Sequence, residues 1–87
     1  MTRVVEAPAE LDAMAAASFA AELALPGPVV VECGSVEFID SSGLRLLLEA
    51  HERAVGEGVP FVLREPSTVV RRLLAITATD AVFTIES

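Results

Sequence analysis

The segment Phe38-Ile39-Asp40-Ser41-Ser42-Gly43-Leu44 joins an apolar, strand-like stretch to a strongly amphipathic helix, and this junction constrains the fold more than any other feature of the chain. Upstream lies Val29-Val30-Val31-Glu32-Cys33, a short apolar run of the kind found in strands buried on both faces. Downstream, a helix beginning near Ser42 places Leu44, Leu47, Leu48, His51, Ala54 and Val55 on one face. Arg45, Glu49, Glu52 and Arg53 fall opposite, with Glu49 and Arg53 spaced as an i,i+4 pair.

The same alternation runs through the rest of the sequence. Thr2 to Glu6 reads as a strand ended by Pro8, and Asp12 as the N-cap of a helix to about Leu25. Met14, Phe19 and Leu23, with several alanines, supply that helix's apolar surface. Pro26-Gly27-Pro28 ends it and turns the chain into the strand Pro28–Glu32. Gly56-Glu57-Gly58 stops the central helix, and Val59–Leu63 forms the next strand. Ser67 caps a third helix carrying Val69, Val70, Leu73, Leu74 and Ile76; Val82–Ile85 is the last strand. Strands alternating with crossover helices define an α/β domain.

Eighty-seven residues suit one domain, spanning 1–87, with a single modest core. The hydrophobic fraction is 53% and the aromatic fraction 5%, so that core is aliphatic. A net charge of −7 argues against a sequence-independent nucleic-acid surface, which needs a basic footprint. The longest uncharged runs, Ala13–Ala21 and Leu23–Val31, have nine residues each, too few to span a bilayer. With no long apolar leader, the expected setting is cytoplasmic, without membrane insertion. Cys33 is the only cysteine and reads as a small buried hydrophobe. No Cys/His cluster suggests a metal, and no acid, base and nucleophile set suggests catalysis. His51 reads as a half-buried packing residue, and Arg71 and Arg72 as a solvated helix face.

A hydroxyl at the strand–helix junction sits near backbone N–H groups that lack intrahelical partners, at the positive end of the helix dipole. Ser41 and Ser42 are therefore candidate phosphoacceptors. Taken alone, Asp-Ser-Ser-Gly favours the ordinary helix cap.

The whole chain tips that balance. In order, Ala9-Glu10-Leu11-Asp12, Val29 to Cys33, Phe38 to Leu48 and Arg72-Leu73-Leu74 resemble the STAS domain of bacterial anti-sigma factor antagonists. The resemblance implies a small mixed β-sheet of about four strands, with helices packed mainly on one face. It also implies a non-enzymatic switch with no cofactor of its own. The unphosphorylated form would bind an anti-sigma factor that is a Ser/Thr kinase and free a sigma factor. Phosphorylation of Ser41, with Ser42 as the alternative, would break the complex, and a Ser/Thr phosphatase would restore it.

The partner-binding set implied is Asp12, Asp40, Ser41, Ser42, Gly43, Arg45 and Leu46. Leu46 and Ala50 are expected to flank the charged face and meet the partner. Three departures from the family pattern stand out. Only eight residues precede Ala9, so the usual first strand is expected to be missing, which would leave a sheet edge open to self-association. Ala9 replaces a glycine, and Ala78-Thr79 replaces a Gly-Leu pair. The alternative reading is a constitutive structural STAS subunit of a larger complex, such as a lipid-transport ATPase.

Overall fold

A computed structural model describes residues 1–87. In chain order its elements are β1 (Arg3–Glu6), β2 (Glu10–Leu11), α1 (Ala13–Leu23), β3 (Val29–Glu32), β4 (Phe38–Ile39), α2 (Ser41–Glu57), β5 (Phe61–Arg64), α3 (Thr68–Ile76) and β6 (Thr84–Glu86). Four strands form one sheet in the order β1-β3-β5-β6, while β2 and β4 pair separately. The expected four-stranded α/β sheet is present. Where a mixed sheet was expected, every pairing is parallel, because each step from strand to neighbouring strand runs through a helix and returns to the same end. No helix is long and apolar enough to cross a membrane.

The strand order advances in one direction only. Right-handed crossovers that never reverse leave all their helices on the same face. The register confirms this: Val5, Val29, Val31, Phe61 and Leu63 point into one core cluster shared with α1, α2 and α3. On the opposite face Val4, Val30 and Val62 lie abreast, followed by a row of Glu6, Glu32, Arg64 and Glu86. Val30 is the one buried hydrophobe outside the core cluster. Arg64 bridges Glu86 at 2.6 Å and Glu32 at 2.8 Å, and these hydrogen bonds raise its guanidinium above the usual range.

Long-range ties fix the helix ends. Arg3 donates to the carbonyls of Glu22 (2.8 Å) and Leu25 (2.7 Å), acceptors that lack intrahelical donors at the end of α1. Glu57 accepts the Gly27 N–H at 3.0 Å and pairs with Arg53 at 2.7 Å. The Gly27 bond first, then Arg53, holds the Glu57 carboxyl below its ordinary value. Arg53 therefore pairs with Glu57 and not, as expected, with Glu49; Glu57 is already positioned by the turn. Gly58 closes α2 in the left-handed region (φ 71°), where a side chain is disfavoured.

Several apolar assignments are corrected. Met14 (86% exposed), Val55 and Ile76 lie in solvent. Each sits within a turn or so of a helix end, where the sheet no longer covers the spacing-matched face. Ala78 takes a positive φ of 57°, the backbone state for which glycine is the usual choice. His51 packs edge-on against Phe83 and Phe61, at centroid distances of 5.6 and 6.3 Å. Cys33 is buried, and burial pushes its thiol up to about 12.

Candidate functional site at two helix N-termini

The short parallel pair β2–β4 sets the geometry of the site. Leu11 lies opposite Ile39, so the following residues, Asp12 and Asp40, leave the pair side by side. Each has extended backbone and caps the helix it precedes. The Asp12 carboxylate accepts the Ala15 N–H at 2.9 Å. The Asp40 carboxylate accepts two N–H groups, from Ser42 at 2.9 Å and Gly43 at 3.2 Å. Two positive helix ends thus emerge at one corner of the molecule, each neutralised in part by its own aspartate.

Ser41 is the first residue of α2 and is exposed; Ser42 is the second and partly buried. The helix therefore starts one residue earlier than expected, and both serines belong to its first turn. Asp40 is turned onto the backbone, so the N–H groups of Ser42 and Gly43 are already occupied. Arg45 is exposed one turn beyond Ser41, and the chain's ion pairs involve only Arg53 and Arg64. Ala13, Ser41, Ser42 and Arg45 line one shallow depression. A guanidinium at i+4 from Ser41 and i+3 from Ser42 is within the reach of side-chain pairs on a helix surface. An anion on either hydroxyl would find its cation there.

Gly43 and Leu46 are both buried, where Leu46 was expected off the core stripe. Gly43 is buried, and a Cβ there would collide with the Leu11 carbonyl oxygen and lie 2.8 Å from Leu11 Cγ. The backbone approach that demands glycine is this chain's own, between α2 and β2. Leu46 (9% exposed) and Ala50 (6%) are core residues on the side of α2 that faces α1, and they line a groove with Ala20, Leu23 and Ala24. α2 packs against a helix as well as a sheet, so its buried arc is wider than one stripe. The structure brings together Asp12, Asp40, Ser41, Ser42 and Arg45 and leaves Leu46 inside.

Two apolar residues at this corner escaped the sequence reading. Met14 projects from the first turn of α1, and Phe38 (48% exposed) stands two residues before Asp40. Phe38 alternates with buried Ile39 in β4, a signal that two residues are too few to display. Met14 could not be oriented in so alanine-rich a helix.

No group of three or more His, Cys, Asp or Glu side chains is placed to hold a metal ion. Residues 2–85 match a family model described as "Mlab, STAS domain". Among solved structures, the chain is similar to a candidate anti-sigma factor antagonist from Thermotoga maritima, with a TM-score of 0.84 and 25% sequence identity. That match covers 97% of this chain and 79% of the other. No curated protein matches the sequence.

Proposed function

The chain belongs to the STAS domain family, and on that premise we propose that it is a non-enzymatic, phosphorylation-controlled interaction module of the anti-sigma factor antagonist type. STAS domains of that type are generally non-enzymatic and work through protein partners. In this reading, the unphosphorylated domain binds an anti-sigma factor that is a Ser/Thr kinase. Phosphorylation of Ser41 releases it, and a phosphatase resets the switch.

The observation that carries this reading is the exposure of Ser41 on the first turn of α2, with Arg45 in the same depression. A phosphate adds about −1.5 to −2 charges at neutral pH. The Asp40 carboxylate already holds the N–H groups of Ser42 and Gly43, so the phosphate is repelled from the helix end and turned outward, toward Arg45 and the partner. Because Ser41 is exposed and contributes nothing to the core, the corner gains negative charge while the fold persists. Asp12, Asp40, Ser42, Arg45, Met14 and Phe38 complete the contact area.

A second reading is supported by two observations. The matching family model carries the description Mlab, and Asp40 already neutralises the helix end that a phosphate would use. In that reading the domain is a constitutive structural subunit of a larger complex, such as a lipid-transport ATPase. Affinity purification of the native complex separates the two. The switch reading expects a Ser/Thr kinase among the bound proteins and phosphate on Ser41 by mass spectrometry. A transporter ATPase bound equally by wild type and Ser41→Asp assigns the structural role instead.

A further inference from the structure

The two faces of the sheet are unequal. All-parallel sheets are almost always covered on both faces. Here the unidirectional strand order places every helix on one, leaving the other bare. The centre of the bare face is apolar: Val4, Val30 and Val62 lie abreast, with Val4 59% exposed at the edge, Val62 half-buried and Val30 8% exposed between them. The next row carries three carboxylates and one guanidinium. Arg64 is already shared by Glu32 and Glu86, and Glu6 has no cation.

We propose that this outer face is a docking surface for a basic amphipathic helix of a partner protein. Its apolar stripe would cross the valine row, and its Lys or Arg side chains would lie over Glu6, Glu32 and Glu86. Four strands spaced about 4.8 Å apart make a floor roughly 14 Å wide, which accepts one helix of about 10 Å diameter. A second copy is the poorer occupant, since apposing two such faces brings acidic rows together on chains of net charge −7 each. The face lies across the sheet from α2, so it is independent of Ser41 and both surfaces can be occupied at once.

The test uses two synthetic amphipathic helices with the same leucine stripe, one flanked by lysines and the other by glutamates. Each is titrated into isotope-labelled full-length protein and followed by NMR. The lysine peptide is expected to shift amides of β1, β3, β5 and β6 and to bind at least tenfold more tightly than the glutamate peptide. Val62→Asp should weaken that binding tenfold or more. Val4→Asp, at an exposed position where folding is not at stake, should do the same, whereas Ser41→Asp should leave it unchanged. Equal binding of the two peptides, shifts confined to α1 and α2, or no shift at millimolar peptide would overturn the proposal. So would a dimer in sedimentation that Val4→Asp dissolves, which would give the face to a second copy.

Discussion

Helices α1 and α2 begin alike and continue differently. Both start immediately after paired strands, and both are capped by an aspartate whose carboxylate takes backbone N–H groups. After the cap, α1 runs Ala13-Met14-Ala15 and α2 runs Ser41-Ser42-Gly43. The third helical residue is an alanine with room for its methyl group in one, and a glycine pressed against Leu11 in the other. The difference teaches that capping starts a helix at either site, while the residues after the cap decide how closely the helix can settle. α2 sits tightly on β2 and presents its hydroxyl at a fixed place; α1 offers a methionine to solvent.

The strongest test of this contrast compares two long apolar side chains near the helix starts. Leu46→Ala should destabilise the protein by about 2–5 kcal/mol, as for a buried leucine. Met14→Ala should change stability by no more than about 0.5 kcal/mol, as for a surface site. Urea denaturation measures both. Equal costs would mean that α1 and α2 do not pack as described, and would return Leu46 to the partner surface.

Next in size is the glycine. Gly43→Ala should cost about 1–3 kcal/mol, because its Cβ meets backbone and cannot be accommodated by a rotamer change. The matching exchange in α1, Ala15→Gly, should cost no more than about 1 kcal/mol through helix propensity alone. A stabilised Gly43→Ala protein would show that β2 can yield, and would remove the structural reason for glycine in the signature.

How much of this was legible in the sequence depends on what each residue packs against. Leu44 and Leu47 were readable because both lie on a single stripe at helical spacing. Leu46 was not, because its burial depends on α1, and α1's alanines give no direction to its faces. Asp12 and Ser67 were readable as caps, since capping is local chemistry, whereas Asp40 is the cap only because α2 starts at Ser41 and not near Ser42. The Arg3 bonds to the end of α1 and the Glu57 bond to Gly27 span 19 to 30 residues and leave no local pattern. At the candidate site, Ser41 was readable from the signature and the exposure of Arg45 from helical spacing, whereas Met14 and Phe38 depended on orientation that only the assembled corner provides.

The caps themselves should rank by the bonds they accept. Asp40→Ala, which leaves two N–H groups without their acceptor, should cost about 1–2 kcal/mol. Asp12→Ala, which leaves one, should cost about 0.5–1 kcal/mol. The reverse order would show that neighbouring residues, and not the bond count, decide. At the far ends of the same helices, Glu57 links α2 to the turn after α1, and its carboxyl lies below the ordinary 4.5. Its contribution is present above that value and lost as pH falls through the lowered one. Glu57→Gln should therefore lower stability near neutrality, where the contribution is present, and flatten the profile in that acidic window, where the wild type loses it.

The smallest expected effect on stability belongs to Ser41, and that smallness is what a switch requires. Ser41→Ala should alter the unfolding free energy by no more than about 0.5 kcal/mol, since the side chain is exposed and the cap is Asp40. It should still hold the partner and resist phosphorylation. Ser41→Asp should fold equally well yet bind the partner poorly. Arg45→Ala, one turn away, should leave the unmodified protein stable while changing how strongly phosphorylation weakens the complex. The measurement is kinase treatment with site mapping by mass spectrometry, followed by binding titration of each variant. Phosphate only on Ser42 would move the switch by one residue but keep the corner as its site. Phosphate on Thr68 would take it away from the paired helix starts altogether, and α2's tight seating on β2 would then serve the core alone.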